Sequence, residues 1–201
     1  MIKCNDVKVC AVISRAASEK TGKDGTKFLS FSVKPTITAY NGESKEIDIN
    51  VTFNGDRGRM SELTVGKRVQ VAGTLSVNKR NGEVMFYLRA ESVEVVSAED
   101  TDSIEGEMTF TGKIGKKGIE EKTDKNGNLY KTFSGFSSDK SGDQMEFTWV
   151  RFLYFRPKEG EDFLQASATI EVKGDLKLSV YNGAVTFECM VTETKPWSSK
   201  K

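Results

Sequence analysis

The sequence repeats itself at an offset of 101 to 102 residues, and this internal repeat restricts the fold more than any other feature. Residues 69–73 (VQVAG) correspond to residues 170–174 (IEVKG), and residues 81–86 (NGEVMF) correspond to residues 182–187 (NGAVTF), both at an offset of 101. Upstream motifs match at an offset of 102, as a one-residue difference in loop length would produce. The repeat therefore predicts two copies of one small domain.

The chain length and the distribution of charge suggest where these two domains begin and end. A chain of 201 residues provides roughly 95 residues for each copy, enough for a domain to bury its own core. Residues 97–107 hold five acidic side chains and no basic ones, which is typical of a linker. We therefore expect a first domain at residues 1–96, an acidic linker at 97–107, a second domain at 108–194 and a C-terminal tail at 195–201.

The composition gives no support to an enzymatic function. The chain contains no histidine, which removes histidine-based acid–base chemistry, histidine-containing metal sites and the usual serine and cysteine nucleophile constellations. No glycine-rich phosphate-binding motif follows a strand. We therefore predict no catalytic residues, no bound metal and no cofactor.

Cysteine usage and the absence of long apolar runs bear on where the protein resides. Cys4, Cys10 and Cys189 lack the spacing of a disulfide framework, which favours reduced thiols. The N-terminal segment is too polar for a signal peptide, and no apolar run approaches the ~18 residues of a membrane helix. We expect a soluble, cytoplasmic protein.

Short alternating segments separated by turn signals indicate an all-β chain. The expected strands are residues 7–14, 28–33, 46–53, 69–77 and 84–96 in the first copy and residues 109–115, 129–136, 145–155, 169–180 and 184–192 in the second. Between the third and fourth strands there is room for a short helix, at residues 54–63 and 159–164. This order predicts two tandem OB-folds, which are five-stranded Greek-key barrels.

Four motifs resemble the bacterial-type single-stranded DNA-binding proteins (SSB). They are residues 31–33 (FSV), 65–75 (VGKRVQVAGTL), 149–155 (WVRFLYF) and 170–176 (IEVKGDL), and together the two copies cover almost the whole chain. The resemblance implies non-catalytic, largely sequence-independent binding of single-stranded DNA in replication, recombination or repair. Two barrels per chain also suggest a homodimer with four barrels, although a monomer remains open.

Two departures from the family pattern qualify this resemblance. In the first copy Ile47 stands where the family pattern has tryptophan, so that copy lacks the stacking ring that the pattern implies. The acidic C-terminal tip that ends in Pro-Phe, which recruits other replication and repair proteins in the family, is replaced by Lys200 and Lys201. Recruitment through such a tip is therefore not expected here.

Binding a single strand without reading its sequence requires aromatic faces for the bases and cations for the phosphates. In the second copy, Trp149, Arg151 and Phe155 share one strand face by even spacing, and they match contact positions of the SSB pattern. The strand is apolar on both faces, so the opposite register, with Trp149 and Phe155 in the core, stays open.

Further candidates lie in both copies. Phe53 matches the terminal phenylalanine of the family pattern, with core packing as an equal alternative, while Phe28 is of opposite parity to its apolar neighbours. Tyr130 could stack from a strand edge. The basic candidates lie in loops that frame the expected groove and at one hairpin tip, and they are Lys20, Lys23, Lys27, Lys79, Arg80, Lys116, Lys117, Lys122 and Lys125.

Two other functions fit the same barrels. The first is a protein-interaction or assembly module without affinity for nucleic acid. The second is a mixed case, in which the first copy serves dimerisation and the second binds DNA. The sequence does not distinguish DNA from RNA, because contacts to the 2′-hydroxyl leave no sequence signature.

Overall fold

The computed structural model describes residues 2–55, 57–80, 83–141 and 144–198, and it is built almost entirely of strands. The strands are β1 (Ile2–Thr21), β2 (Lys27–Lys34), β3 (Thr36–Thr38), β4 (Ser44–Glu46), β5 (Ile49–Phe53), β6 (Arg68–Arg80), β7 (Glu83–Val95), β8 (Ser103–Ile114), β9 (Glu120–Thr123), β10 (Leu129–Ser141), β11 (Gln144–Tyr154), β12 (Thr169–Tyr181) and β13 (Ala184–Pro196). Asn81 and Gly82, which lie between the strands expected at residues 69–77 and 84–96, are outside the described residues.

The first copy closes into a five-stranded barrel. Its strands follow the order β1-β2-β5-β7-β6, and β1 pairs with both β2 and β6, which closes the sheet. All neighbours are antiparallel except β5 and β7, which run parallel. A single parallel pair within an otherwise antiparallel Greek-key barrel is the connectivity of an OB-fold.

The second copy repeats this connectivity. Its strands follow the order β8-β10-β11-β13-β12, β8 pairs with both β10 and β12, and β11 and β13 are the parallel pair. The predicted all-β fold of two tandem OB-folds is therefore confirmed. We call residues from β1 to β7 the first barrel and residues from β8 to β13 the second barrel.

A pair of glycines explains the most clearly repeated motif. A Cβ atom at Gly73 would lie 2.1 Å from the carbonyl oxygen of Arg89, and one at Gly174 would lie 2.1 Å from that of Met190. Each glycine adjoins a register shift between the last two strands of its barrel. The backbones approach so closely at this bulge that no side chain fits between them.

The two barrels share one continuous sheet, which corrects the expected linker. Strand β8 begins at Ser103 and pairs antiparallel with β1, from Ile2 opposite Phe110 to Cys10 opposite Ser103. Residues 103–107 are therefore part of a barrel strand, and the connection between β7 and β8 is limited to residues 96–102. The resulting sheet has eleven strands.

Asp102 fastens this connection to the first barrel. Its carboxylate accepts hydrogen bonds from the guanidinium of Arg68 and, at 2.8 Å, from the backbone amide of Thr36. Burial alone would raise the pKa of Asp102, but the hydrogen bonds and positive charge of Arg68, with the Thr36 amide, hold it below the ordinary value. The acidic connector is thus tied to a basic partner.

Of the two short helices expected between the third and fourth strands, one is present and the other is not. In the first barrel the helical element is a single 3₁₀ helix at Arg57–Ser61. In the second, residues 159–164 form turns, and Gly160 with a φ of 78° is incompatible with a helix there. The expected tail is also shorter, since β13 extends to Pro196. Within the described ranges, no helix has the length and apolar character needed to cross a membrane.

Candidate nucleic-acid interface

Strand β11 presents an apolar outer face to solvent. Val150, Phe152 and Tyr154 are buried in the second barrel, so the alternate side chains point outward. Trp149 is 54% exposed, and Phe155, immediately after the strand, is 42% exposed. The register that places Trp149 and Phe155 in the core is therefore wrong.

Three aromatic side chains form a cluster on this outer face. The ring centroid of Phe136, on the neighbouring strand β10, lies 5.0 Å from that of Trp149 and 5.7 Å from that of Phe147. The rings are tilted or edge-to-face, which is a favourable arrangement for aromatic pairs. We call Phe136, Phe147 and Trp149 the aromatic platform.

A second pair of rings lies at the end of the same strand. Tyr130 and Phe155 stack with centroids 5.1 Å apart and an interplanar angle of 24°. Because one face of each ring is covered by the other, only the opposite face of either ring can receive a base. Both residues were expected near the site, and the structure brings them together.

A lysine-rich groove of about 800 Å³ borders the platform. Trp149 and Arg151 line it together with the basic residues Lys113, Lys116, Lys117 and Lys122. A hydrogen bond from Lys122 lowers the pKa of Glu120, so this carboxylate stays ionised and offsets one of the positive charges. The remaining cations leave the groove with a net positive charge.

Arg151 is held in place beside the platform. Its guanidinium lies 3.4 Å from the carboxylate of Glu188 on β13, which is largely buried, while the arginine itself remains half exposed. An ion pair on one edge of the guanidinium fixes its direction and leaves other N–H donors for a ligand. The predicted Arg151 is therefore an oriented cation at the rim of the groove.

The pairing of strands shows which residues of the first barrel correspond to this platform. In the second barrel Val150 pairs with Phe187, and in the first barrel Ile49 pairs with Phe86. Phe86 and Phe187 are equivalent residues of the repeat, 101 positions apart, so Ile49 and Val150 are equivalent as well. Trp149 therefore corresponds to Asp48. By the same count, Phe147 corresponds to Glu46. The expected correspondence of tryptophan with Ile47 is off by one residue, and Ile47 is buried in the core.

The first barrel carries charges where the second carries rings. In the first barrel Val33 pairs with Ile49, and in the second Gly135 pairs with Val150. The residues that follow Val33 and Gly135, which are Lys34 and Phe136, are therefore equivalent. Lys34 Nζ lies 3.8 Å from a carboxylate oxygen of Glu46 and 4.0 Å from one of Asp48. We call these three residues the ionic cluster. It offers no aromatic face to a base, and its net charge repels phosphate.

The aromatic candidates of the first barrel do not form a platform. Phe53 is buried, with the guanidinium carbon of Arg59 5.9 Å from its ring centroid. The prediction that Phe53 stacks on a base is therefore wrong, because Phe53 occupies the core position that Tyr154 holds in the second barrel. Phe28 is half-buried on β2 and corresponds to Tyr130.

Only some of the predicted cations lie at the lysine-rich groove. Lys117 lines the lysine-rich groove, whereas Lys125 lies exposed in the β9–β10 loop and Lys23 in the β1–β2 loop. Lys27 forms an ion pair with Glu19 at 2.9 Å. Lys79 reaches the second barrel, as described below, and the side chain of Arg80 lies outside the described residues.

Phe136, Phe147 and Lys113 are residues of the site that the sequence interpretation missed. Phe136 is of opposite parity to the buried Phe133 on the same strand, and this alternation was the available signal. Lys113 lies within the expected first strand of its barrel, residues 109–115, whereas the basic candidates were sought in loops. Strands β8 and β10 bring Lys113 and Phe136 to the site, because these two residues lie opposite each other where the strands pair.

No protein-family model matches the chain, and no curated protein matches it in sequence. Among solved structures, the chain is similar over its full length to the single-stranded DNA binding protein from Thermus aquaticus, with 12% identity, 95% of that chain covered and a TM-score of 0.47. The mitochondrial single-stranded DNA binding protein Rim1 from S. cerevisiae matches 47% of the chain, with 22% identity, 96% of its own length and a TM-score of 0.36.

The N-terminal domain of PriB from Thermoanaerobacter tencongensis, a dimeric structure, matches 46% of the chain with 19% identity, 97% of its own length and a TM-score of 0.30. The Thermus protein and Rim1 are single-stranded DNA-binding proteins by name.

Proposed function

We propose that the chain is a non-catalytic protein that binds single-stranded DNA largely independently of sequence, through its second barrel. The observation that carries this proposal is the exposed aromatic platform, Phe136, Phe147 and Trp149, beside a groove lined with lysines. Stacking contributes roughly 1–3 kcal/mol per base and accepts every base, because each base has a π-face.

The two parts of the site have different tasks. Bases stack on Trp149 and its neighbours, while the phosphates of the same strand follow Lys113, Lys116 and Lys117 along the groove. Arg151, oriented by Glu188, contributes a further cation at the junction of platform and groove. Bases held in this way are unable to pair with a complementary strand, which suits a role in replication, recombination or repair.

The first barrel has a different role in this proposal. Its ionic cluster occupies the positions of the platform, so we assign no base stacking to that face. This difference favours the mixed case over equal binding by both copies. A homodimer mediated by the first barrel stays a prediction, and sedimentation equilibrium of the full chain would measure it.

The direct experiment is fluorescence anisotropy of labelled oligothymidylate titrated with the full chain, at low and moderately high salt. We expect tight binding that weakens with salt, since neutralised phosphates release counterions. A duplex of equal length is the control, and it should bind more weakly because its bases are already stacked. No binding at low salt would favour the protein-interaction module. A titration with an RNA oligonucleotide of the same length would show whether the chain prefers DNA to RNA.

A further inference from the structure

A second groove lies between the two barrels, on the other side of the platform. Its volume is about 540 Å³, and residues of both copies line it. The first barrel contributes Tyr40 and Lys79, and the second contributes Phe147, Trp149, Arg151 and Tyr181. Trp149 and Arg151 line this inter-barrel groove as well as the lysine-rich groove, so the two grooves meet at these residues.

Direct contacts between the copies fix the walls of the inter-barrel groove. The β3–β4 hairpin of the first barrel holds the β12–β13 turn of the second, because Lys45 Nζ donates to the carbonyl oxygen of Gly183 at 2.6 Å and the Gly183 amide donates to Glu43. On the other side, Lys79 Nζ donates to the carbonyl oxygen of Phe147 at 3.4 Å. The groove is therefore a built feature of the fold.

Two tyrosines that line this groove are largely exposed to solvent and contribute little to the packing of either barrel. Tyr40 is 95% exposed and Tyr181 is 67% exposed, and both lie at the turns that meet across the barrels. The ammonium of Lys177 lies 3.9 Å from the centroid of the Tyr40 ring. An aromatic face next to a cation is the same combination that the platform offers to a nucleotide.

The charges of the inter-barrel groove also suit a polyanion. Lys79 and Arg151 line it, and Lys177 stands beside its Tyr40 wall. The carboxylate of Glu188 faces the same space but is paired with Arg151. The carboxylate of Glu43 accepts a backbone hydrogen bond at the turn.

We propose that a bound single strand leaves the lysine-rich groove, crosses Trp149 and continues into the inter-barrel groove, where its bases stack on Tyr181 and Tyr40. The first barrel then takes part in binding through its hairpins rather than through its own barrel face. This inference rests on the proposed function, because it extends the same strand beyond the platform.

Length dependence separates the two parts of such a path. One OB-fold binds roughly 4–16 nucleotides. An oligothymidylate of about 6 nucleotides should therefore contact only the platform and its lysines, whereas one of about 20 nucleotides should also reach the inter-barrel groove. Loss of the tyrosine rings should therefore weaken binding of the long oligonucleotide selectively.

The experiment uses the full chain with Trp197→Phe, in which fluorescence reports on Trp149 alone. We would compare Tyr40→Ala/Tyr181→Ala with Tyr40→Phe/Tyr181→Phe, because stacking needs the ring and not the hydroxyl. The control is Tyr87→Ala, an exposed tyrosine of the first barrel that lines neither groove. The tyrosines of the groove are largely exposed, so their truncation removes little packing, and a thermal unfolding curve checks each fold.

For the long oligonucleotide we expect the double alanine variant to lose about fivefold to a hundredfold in affinity, the loss of one stacked base or more. The double phenylalanine variant and Tyr87→Ala should bind as the parent does, and the short oligonucleotide should not discriminate. Trp149→Ala lacks the reporter, so its affinity is measured by anisotropy of a labelled oligothymidylate. If the double alanine variant binds the long oligonucleotide like the parent while Trp149→Ala is impaired, this inference is overturned and the proposed function stands. If the parent itself fails to bind, the proposed function fails.

Discussion

Trp149 and Asp48 occupy equivalent positions in the two barrels, since each immediately precedes the strand residue that pairs with Phe187 or Phe86 respectively. The side chain of Trp149 is exposed, as is that of Asp48, and the alternate residues that follow each of them are buried in both copies. One fold thus carries an aromatic platform on one copy and an ionic cluster on the other. The two copies therefore differ at these surface positions and share the same barrel connectivity.

Replacing Trp149 should impair binding without unfolding the protein. We expect Trp149→Ala to weaken oligothymidylate binding by about 1–3 kcal/mol, because one stacking face is lost. Trp149→Asp, which installs the residue of the first barrel, should cost more, because a carboxylate also repels the phosphates. Anisotropy titrations at one fixed salt concentration would measure both.

The matched control for these variants is Asp48→Ala. It removes an exposed partner of Lys34, so we expect a change in stability below about 1 kcal/mol and no loss of affinity. Equal losses from Asp48→Ala and Trp149→Ala would show that the two copies bind alike, contrary to the assignment of the site to the second barrel.

Ile47→Ala should cost stability and leave binding intact. Ile47 is buried in the first barrel, and removing a buried isoleucine side chain to alanine costs about 2–5 kcal/mol. Urea unfolding would measure the loss, and affinity would be measured where the variant remains folded. An unchanged unfolding midpoint together with weaker binding would place Ile47 in the site instead of the core.

The lysines of the groove should appear in the salt dependence of binding. Each phosphate contact on a single strand contributes about 0.7 to the slope of log K against log salt. Lys117→Gln should therefore make the slope shallower by about that amount. Lys23→Gln, which changes an exposed lysine of the first barrel, is the control and should leave the slope unchanged. The reverse result would move the phosphate path to the first barrel.

Asp102 should contribute to stability at neutral pH and lose that contribution in acid. Its pKa in the folded protein is held below the ordinary 3.8 by Arg68 and Thr36 despite burial, so the unfolded state binds a proton first as the pH falls. Stability from the pair is thus present above that ordinary value and is lost as the pH falls through the folded pKa. Asp102→Asn should cost about 1–3 kcal/mol at pH 7.

Urea unfolding of the parent and of Asp102→Asn at two pH values would test this linkage. The gap between their midpoints should shrink from neutral pH toward the acid limit, because both proteins then lack the ionised carboxylate. A gap that stays constant would mean that Asp102 stabilises the connector without its charge.

The sequence contained enough information to predict both barrels. Alternation with a period of two, glycine turns and the repeat itself are local signals, and they determined the strand order that the pairing confirms. The helix expected at residues 159–164 failed because a positive φ at Gly160 interrupts it. The linker was misjudged because polar residues 103–107 gain a partner strand, β1, nearly 100 residues away.

The site was harder to predict than the fold. Strand β11 is apolar on both faces, so local alternation could not choose its register, and only the closed barrel does. Between Phe31 and Ile49, where it forms the β3–β4 hairpin, the first copy has one residue more than the second copy has between the equivalent residues. For this reason the sequence comparison matched Trp149 with Ile47 instead of Asp48. The inter-barrel groove depends on contacts such as that of Lys45 with Gly183, which no local pattern encodes.

The most direct test of single-strand binding at the platform is quenching of tryptophan fluorescence by oligothymidylate in the Trp197→Phe variant. The chain has only two tryptophans, so the remaining signal comes from Trp149 alone. Stacking of a base on this ring should quench the signal strongly, with an affinity that falls as salt rises. Binding without any quenching, or no binding at low salt, would contradict the assignment of the site to the second barrel.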